Sequence, residues 1–342
     1  MPNKHYIENS SLESFLEQKE FLTTADVQDI YFCFRLILGR NPNLEECAGH
    51  SSMVGVNLTQ VVKSYVQSLE FQNRSLLNTQ MSNVAIHSIE NFQMYVDLDD
   101  QAVGVHIAGG NYEPHVTKIF KKYLKSGMSV LDIGANIGYF SMLAASLVGT
   151  TGRVVAMEPN MENCKLHQAS KNLNEFSQIS IMQVAAGKST GLLSLNSSYS
   201  NGTTSTVSSN IDLLMKSKTV PAVKIDDQKI FDSGLDFIKI DVEGAEYNAL
   251  VGAEQLIRKF KPVIVSEFSP NLMPGISGVS GEVYLNYLIS LGYDISVISL
   301  DGSVVNHKSN VTKVLAAFQD AGVDHIDILA IPSRKSWRFF GN

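Results

Sequence analysis

Residues 130–140 read VLDIGANIGYF and have the form of a nucleotide-binding turn. The first four residues suit a buried strand, the two glycines a turn, and the last two the start of a helix. Twenty residues after Gly138, the apolar run 154–157 ends in Glu158. A glycine turn after one strand and an acid after the next is how an open α/β sheet holds an adenosine. Glycine lets the backbone approach the ligand, and the acid accepts hydrogen bonds from both ribose hydroxyls.

The glycine spacing distinguishes between adenosine ligands. A dinucleotide turn needs G-x-G-x-x-G, but counting from Gly134 the second and third positions hold Asn136 and Tyr139. The Gly-Lys-Ser/Thr of a phosphate loop does not occur at this turn. The pattern is D-x-G-x-N-x-G, and its acid, Asp132, would repel a diphosphate but can hold an ammonium group. The sequence therefore predicts S-adenosylmethionine as the cofactor.

Length and composition restrict the class of protein. A chain of 342 residues suggests one large and one small unit. The net charge of −7 argues against a nucleic-acid partner. Three cysteines without metal-ligand spacing indicate free thiols in a reducing compartment. The chain shows no apolar signal-peptide core and no run of about 20 apolar residues. We therefore expect a cytoplasmic protein without a membrane span.

The first part of the chain has helical patterns. Residues 1–20 are a polar, helix-prone lead. Asp26 is a plausible N-cap for a helix over 27–38, and apolar spacing predicts another helix over 58–70. We therefore predict a helical accessory domain over 1–85 and a cofactor-binding domain over 86–342.

The second part alternates between strand and helix patterns. Alternation over 92–107 with a turn at Asp99-Asp100 predicts a β-hairpin, and Pro114 opens a helix. Strands are predicted near residues 129–133, 153–157, 179–184, 235–241, 262–267, 293–299 and 326–331. Helices are predicted near residues 139–147, 160–173, 244–259 and 281–291. This order predicts an α/β fold with a doubly wound, mostly parallel, seven-stranded sheet. The polar stretch 196–210 is expected to be a surface loop, with a substrate-facing loop as the alternative.

A second dense segment, 237–246, reads FIKIDVEGAE. Its strand ends in Asp241, Glu243 lies at the following helix start, and the next strand ends near Glu267. Ligands bind outside the carboxyl ends of strands in open α/β sheets, so these three acids are the catalytic candidates. One of them acts as a general base, or Asp241 and Glu267 hold Mg²⁺. One acid at the second position, rather than a pair, favours a site without metal.

Other residues near these motifs are expected to be structural. Glu243 is equally suited to capping its helix, and Glu246 to packing or a surface pair. His106 and His115 flank the start of the core, and a lone histidine is more often structural or solvated. The aromatic tail around Trp337 is expected to pack against its own domain or a dimer partner.

Five segments in order resemble the FkbM family of methyltransferases: YEPHV, GMSVLDIGANIGYFS, VVAMEPN, IKIDVEGAEYNALVGA and PVIVSEF. The resemblance covers roughly residues 92–332. It implies a class I S-adenosylmethionine-dependent fold and methyl transfer, usually to an oxygen of a sugar, glycan or polyketide. The expected cofactor-binding residues are Glu113, Asp132, Gly134, Ala135, Asn136, Gly138, Tyr139, Glu158, Pro159, Ala185 and Asp241. No acid follows the third strand at residues 184–186, so backbone groups are expected to contact the adenine.

The segments YFCFRLILGRNPN (31–43) and SLEF (68–71) resemble a small helical domain that is similar to phycobilisome linker domains. That domain is often attached to bacterial surface-glycan and glycosylation proteins, which suggests a protein contact or a homodimer through this part of the chain. We expect methyl transfer to a hydroxyl oxygen of a sugar, glycan or glycolipid precursor. The alternatives are another small hydroxylated metabolite, or a non-catalytic scaffold, which the intact acids at the strand ends oppose.

Overall fold

The computed structural model describes residues 22–74, 83–198, 201–207 and 209–333. The chain divides into two compact units, Met1–Ser82 and Asn83–Asn342. The sequence analysis placed the division after residue 85, whereas the first strand of the second unit already begins at Val84. The predicted lead over 1–20 and the aromatic tail around Trp337 lie outside the described residues.

The first unit is helical. Asp26 caps its first helix as predicted, because its side chain accepts from Asp29 N and Asp29 accepts in return from Asp26 N. The helix predicted over 58–70 is broken in two, since the Ser68 hydroxyl accepts from Phe71 N and starts a new helix. The helices are α1 (Val27–Phe32, continued as a π-helix over Cys33–Ile37), α2 (Leu44–Gly49), a 3₁₀ turn (Ser51–Met53), α3 (Leu58–Val66) and α4 (Leu69–Asn73).

An arginine joins the two motifs of this unit. Arg40, from the first motif, makes paired hydrogen bonds to Glu70 of the second, at 2.6 Å through Nε and 2.8 Å through Nη2. It also holds Glu46 through both terminal nitrogens at 2.9 and 2.6 Å. A guanidinium held in two bidentate pairs fixes loop geometry more than a single ion pair does. The two motifs therefore belong together because Arg40 of the first binds Glu70 of the second.

The second unit begins with a hairpin, which is not the one predicted. Strands β1 (Val84–Ile89) and β2 (Phe92–Asp97) pair antiparallel, and the turn lies at Glu90, whose φ is +50°. The predicted turn at Asp99-Asp100 is wrong, because the Asp100 carboxylate accepts from the N–H groups of residues 102–104 and starts helix α5 (Gly104–Ala108) instead. Helix α6 (Pro114–Tyr123) starts at the predicted proline.

The remaining elements form the main sheet and its helices. The strands are β3 (Ser129–Ile133), β4 (Arg153–Met157), β5 (Ile179–Met182), β10 (Phe237–Ile240), β11 (Val263–Phe268), β12 (Tyr293–Ile298), β13 (Val304–Lys308) and β14 (Ile326–Pro332). The helices are α7 (Tyr139–Val148), α8 (Met161–Leu173), α10 (Glu246–Gly252), α11 (Glu254–Phe260), α12 (Met273–Ile276), α13 (Gly281–Ser290) and α14 (Val311–Ala321). The predicted helix over 244–259 is thus two helices.

The order of the main sheet is β13-β12-β14-β11-β10-β3-β4-β5. Strands β11, β10, β3, β4 and β5 run parallel, while β14 lies antiparallel between β11 and β12. All seven predicted strands are present, and β13 adds an eighth at the edge. The α/β, doubly wound, mostly parallel fold is confirmed. Because the chain leaves β3 in one direction through β4 and β5 and returns through β10, a crevice opens at the carboxyl ends of β3 and β10.

A smaller sheet occupies the stretch that was predicted to be a loop. Its strands are β6 (Ala185–Ala186), β7 (Gly191–Ser198), β8 (Asn201–Thr206) and β9 (Lys218–Val223), and their order in the sheet is β6-β9-β7-β8. The β7–β8 hairpin covers most of residues 196–210. The loop prediction is wrong, because three of the four residues 203–206 are β-branched threonines and Leu195 is buried, both of which favour a strand. Helix α9 (Ile211–Lys216) and 3₁₀ turns at Ile225–Asp227 and Lys229–Phe231 follow the chain around this sheet.

Burial explains why the sheet positions the crevice rigidly. Hydrophobic clusters cover both faces of the main sheet, one containing Leu131 and Ile238 and the other Val130 and Phe237. Alternate residues of β3 and β10 therefore point to opposite faces into packed cores, as expected for a doubly wound sheet. No helix within the described ranges is both long and apolar enough to cross a bilayer.

Candidate active site

The turn after β3 approaches the turn after β10 as closely as backbone allows. Gly134 has a φ of +78°, and a Cβ placed on it would lie 1.8 Å from the carbonyl oxygen of Asp241. Only glycine fits this position, for reasons of both space and conformation. The two motifs that stood out in the sequence are therefore in direct backbone contact at the point where the sheet order reverses.

The rest of the turn is fixed by the helix that follows. Gly138 has a φ of +96° and caps α7, and a Cβ there would lie 2.3 Å from the ring of His167. His167 is completely buried, and burial lowers its pKa to about 3, so the ring under the turn is neutral. Asn136 adopts a left-handed conformation with a φ of +51°, which asparagine tolerates better than most residues.

Glu158 links the ends of β3 and β4. Its Oε2 accepts from Asn136 N at 2.9 Å, and its Oε1 accepts from Asn160 N at 2.8 Å. Burial raises its pKa to about 7, although these N–H groups favour the carboxylate and limit the rise. Oε1 also accepts from Asn163 Nδ2, at a longer 3.4 Å. A carboxylate oxygen has two lone pairs, so Oε2 can accept from one ribose hydroxyl, and a second hydroxyl can replace the long bond from Asn163 at Oε1.

We expect Glu158→Ala to weaken S-adenosylmethionine binding by about 2–4 kcal/mol, or roughly 30- to 900-fold, because two hydrogen bonds to a charged acceptor are lost. Since the pKa of Glu158 is raised to about 7, wild-type affinity should increase between pH 6 and pH 8 as the carboxylate forms. Titration calorimetry at both pH values measures both effects. Glu158→Gln is the control and should show a weaker pH dependence. Unchanged affinity in Glu158→Ala would exclude the ribose assignment.

A cavity of about 410 Å³ lies between these turns. Seven of the predicted cofactor residues and the three catalytic candidates share it. They are Glu113, Gly134, Asn136, Glu158, Pro159, Ala185 and Asp241, with Glu243 and Glu267 beside Asp241. The apolar side chains of Ile133, Met157 and Val184 supply a surface against which an adenine can pack. Asp132, Ala135, Gly138 and Tyr139 do not line the cavity.

Asp132 lies beneath the turn. It is 1% exposed, one carboxyl oxygen accepts from the Ser141 hydroxyl at 2.6 Å, and the other has no hydrogen-bond partner. Burial raises its pKa, while the ammonium of Lys239 acts in the opposite direction. The ammonium group near Asp132 is thus the protein's own lysine. Tyr139 likewise points away, with its hydroxyl 3.2 Å from that of Thr117.

Lys239 is the central cation of the site, and the sequence analysis did not select it. Its side chain is 6% exposed, Nζ donates to Asp241 Oδ2 at 2.9 Å, and it lies over the ring of Phe140. Burial opposes its charge, but the neighbouring Asp241, Glu113 and Asp132 raise its pKa. A lysine inside a strand and flanked by isoleucines gives no sequence signal, because alternation alone would place it on an ordinary strand face.

Two of the three catalytic candidates form a coupled pair. Burial alone would raise the pKa of Asp241, but Lys239 lowers it, and a hydrogen bond from Glu267 adds to that effect. Burial raises the pKa of Glu267 well above its usual range, and the charge of Asp241 reinforces the rise. Ser269 also donates to Glu267 at 2.5 Å. The surroundings therefore favour the ionised form of Asp241 and the protonated form of Glu267, as in other pairs of carboxyls that cannot both ionise easily.

The other acids around the cavity are also shifted. Glu243 has a φ of +53°, and burial together with Asp241 raises its pKa. Glu113 has a φ of +39° just before α6, and burial raises its pKa while Lys239 opposes the rise. Left-handed backbone at two non-glycine acids of one cavity is a form of strain that is common at functional sites. A ligand with positive charge would favour the ionised form of both.

A histidine–aspartate pair adjoins the acids. His115 Nε2 lies 2.6 Å from Asp327 Oδ2, which raises the pKa of His115, and both side chains are mostly buried. Asp327 is the partner of Glu267 in the β11–β14 register. His115 was expected to be structural, and the structure places it beside the catalytic candidates. The pairing could not be predicted, because 212 positions separate the two residues. His106 also lines the first cavity.

Glu246 supports the turn after β10 from below. It is completely buried, and its Oε1 accepts from Val242 N and Gly244 N, both at 3.1 Å, while Oε2 has no partner. Burial raises its pKa to about 7. The predicted packing role agrees with this geometry: the residue shapes the turn that carries Asp241 and Glu243 without lining the cavity.

Glu246→Gln should make the protein more stable at high pH. A raised folded pKa gives stability that is complete below the unfolded pKa of about 4.5 and is lost as the pH rises through about 7. Glutamine keeps the acceptor and never ionises, so the variant should exceed wild type by up to about 3 kcal/mol well above pH 7. Urea unfolding from pH 5 to pH 8 measures the difference. A constant difference across this range would show that Glu246 does not titrate in the folded protein.

No cluster of three or more His, Cys, Asp or Glu side chains in the part of the chain that the structure describes has metal-binding geometry.

The fold has the strand order of class I methyltransferases, and the site is suited to S-adenosylmethionine. The sheet order, the glycine turn that excludes any Cβ, and the ribose acid at the next strand end all fit this cofactor. A cationic ligand also fits a cavity that six acids line: Glu113, Glu158, Asp241, Glu243, Glu267 and Asp324. Residues 132–295 match the family described as Methyltransferase FkbM domain.

Other comparisons point to related methyltransferases. Residues 58–199 match the family described as Protein-L-isoaspartate(D-aspartate) O-methyltransferase. Protein-L-isoaspartate O-methyltransferase 1 of Arabidopsis thaliana is 33% identical over 92 residues, which is 24% of this chain and 40% of that protein. The chain thus spans less than half of the length of this curated relative.

Two solved structures are similar at low identity. The FkbM methyltransferase from Methylobacillus flagellatus KT is 19% identical, with a TM-score of 0.37, covering 62% of this chain and half of that one. TYW2 of M. jannaschii in complex with AdoMet is 13% identical, with a TM-score of 0.40, covering 72% of this chain and 85% of that one.

Proposed function

We propose that this protein transfers a methyl group from S-adenosylmethionine to a hydroxyl oxygen of a sugar, glycan or glycolipid precursor. The observation that carries the proposal is the Asp241–Glu267 pair, which lies at the ends of two adjacent strands and lines the same cavity as the cofactor turn. A hydroxyl is a weak nucleophile that must lose its proton during transfer. A carboxyl pair whose pKa values differ strongly is suited to receive it.

When bound, S-adenosylmethionine would supply an electrophilic methyl group, and its sulfur would keep the electron pair of the broken bond. The protein holds the acceptor and moves its proton. Lys239 keeps Asp241 ionised, so Asp241 orients the acceptor hydroxyl by accepting from it. When positive charge enters the cavity, Glu267 would release its own proton to solvent, and the carboxylate could then take the hydroxyl proton.

Carboxyl methylation of a protein is the second candidate, because of the isoaspartate methyltransferase family match over 58–199. That match contains the cofactor turn and Glu158 but ends before Asp241 and Glu267. A carboxylate acceptor is already a nucleophile and needs no base, and it would be repelled by an acid-lined cavity. The acceptor side of the site therefore favours a hydroxyl.

Transfer of labelled methyl from S-adenosylmethionine distinguishes the two candidates. The acceptors are fractionated cell-envelope glycans and glycolipids in one arm and an isoaspartyl peptide in the other. We expect base-stable label in the first arm, because an ether resists alkali, and none in the second. Label confined to the peptide and released by mild base would show that the protein is a carboxyl methyltransferase.

We further propose that the unit Met1–Ser82 is an accessory partner-binding domain. The cofactor residues named above all follow residue 110, and the Arg40 network ties this unit's helices to one another. A chain starting at Asn83 should therefore fold and bind S-adenosylmethionine with unchanged affinity, as measured by calorimetry against the full chain. An insoluble or non-binding product would show that the two units depend on each other.

A reducing, cytoplasmic setting is part of the proposal. Cys33, Cys47 and Cys164 are all free thiols, and Cys164 Sγ donates to Glu158 O beside the ribose acid. Burial raises its pKa to about 12, so this thiol is unreactive.

A further inference from the structure

A second cavity, of about 660 Å³, adjoins the first. Five residues line both: Glu113, Asp241, Glu267, Asp324 and His325. The two spaces therefore meet at the carboxyl pair, with the cofactor turn on one side and the second cavity on the other. In a transfer reaction the acceptor has to approach the reacting carboxyls from the side that the cofactor does not occupy.

The second cavity is largely apolar. Val297, Ile298 and Ile326 form buried parts of its wall, and Leu300, Val305 and Val323 continue the apolar lining to the surface. The last three are 77%, 50% and 45% exposed. Apolar side chains that run without a break from a polar reaction centre to solvent are typical of a ligand site.

Few polar groups of this cavity lie outside the residues that it shares with the first cavity. His115 and Asp327 are bonded to each other, which leaves Ser299 and His307 as the further polar lining residues. A free sugar in this space would have few partners for its hydroxyls away from the shared residues, and each hydroxyl that lost hydration without a partner would weaken binding. An apolar chain would be favoured by the same wall.

We propose, resting on the function proposed above, that the second cavity is the acceptor site and that it takes an acceptor with an apolar chain next to the reacting hydroxyl. The hydroxyl lies at Asp241 and Glu267, and the chain packs along β12, β13 and α14. The acceptor is thus the lipid-bearing member of the proposed substrate class rather than a free sugar or a soluble glycan.

Primary alkanols are the simplest probes with a hydroxyl and an apolar chain. Calorimetric titration of the full chain with 1-butanol, 1-hexanol and 1-octanol should show a Kd that falls roughly fourfold for each added methylene. A Kd that does not change with chain length, or an absence of binding across the series, would overturn the proposal.

Two neighbouring positions of α14 give a matched pair of variants. Ala317 lines the second cavity and is half-buried, whereas Ala316 is exposed and does not line it. Ala317→Phe should weaken 1-octanol binding at least tenfold, and Ala316→Phe should leave it unchanged. S-adenosylmethionine affinity should be unchanged in both, which shows that each has folded. Equal alkanol affinity in the two variants would contradict the assignment.

A third variant does not depend on packing inside the helix. Val305 is 50% exposed on the edge strand, so Val305→Asp should fold and still place a charge in the apolar wall. It should weaken 1-octanol binding more than 1-butanol binding.

Incubation of the alkanols with labelled S-adenosylmethionine tests the proposed function separately from the proposed acceptor site. Alkanols that bind with this length dependence but receive no methyl group would contradict hydroxyl methylation and leave the acceptor site intact.

Discussion

Gly134→Ala is expected to eliminate S-adenosylmethionine binding and to lower the free energy of unfolding by about 4 kcal/mol or more. The added Cβ would lie 1.8 Å from the carbonyl oxygen of Asp241, which is backbone and cannot rotate away. Relief requires the ends of β3 and β10 to separate, and these two strands pair over four residues within the packed sheet. Chemical unfolding and calorimetry measure the two effects.

The control for Gly134→Ala separates the clash from the backbone conformation. Gly278 has a φ of +73°, close to the +78° of Gly134, and a Cβ there meets nothing within 4 Å. Gly278→Ala should therefore cost only the left-handed strain of about 1–2 kcal/mol and leave cofactor affinity intact. If the two variants lose equal stability and both bind the cofactor, the close approach of the two turns does not hold the site together.

The sequence predicted the parts of the fold that local patterns determine. Strand β3 and helix α7 follow from an apolar run, a glycine turn and a helical pattern, all within twenty residues. The β7–β8 hairpin was missed because residues 196–206 are almost all Ser, Thr, Asn and Gly, a composition that loops share. Strand β13 was missed because it lies at the sheet edge and is mostly exposed, so it has no apolar pattern.

The sequence predicts the position of a site residue when that residue lies at the end of a strand. The positions of Glu158, Asp241 and Glu267 relative to the sheet follow from counting along the sequence. The positions of Lys239, His115 and Asp327 depend on which strands become neighbours. Asp132 is a residue that the motif selected but that does not line the cavity. The alternation of side chains along the strand points it into the core, where it accepts a hydrogen bond from Ser141.

The structure also distinguishes between the acids that the sequence offered as the base. Asp241 ends the strand whose following turn contacts the cofactor turn. Lys239 holds it ionised and lowers its pKa, which makes it a poor proton acceptor. Glu267 has the raised pKa that a base for a hydroxyl requires. Removing the charge of Asp241 also leaves Lys239 buried with one partner fewer, which costs stability.

Glu267→Gln should lower kcat by about 10²–10⁴-fold while stability and S-adenosylmethionine affinity stay close to wild type. The substitution keeps the shape of the protonated side chain, which is the resting form, but it cannot take a proton. Asp241→Asn, the comparison variant, should lose activity and also unfold more readily, since Lys239 loses its 2.9 Å partner.

The pH dependence of turnover identifies the base in these two variants. The wild-type rate should rise with pH as Glu267 loses its proton, and this rise should disappear in Glu267→Gln but remain in Asp241→Asn.

A chelator should leave the wild-type rate unchanged. If it abolishes turnover and Mg²⁺ restores it, the two carboxyls are metal ligands instead. If Glu267→Gln keeps full activity with the wild-type pH profile, the proton goes elsewhere, and His115, paired with Asp327, becomes the group to test.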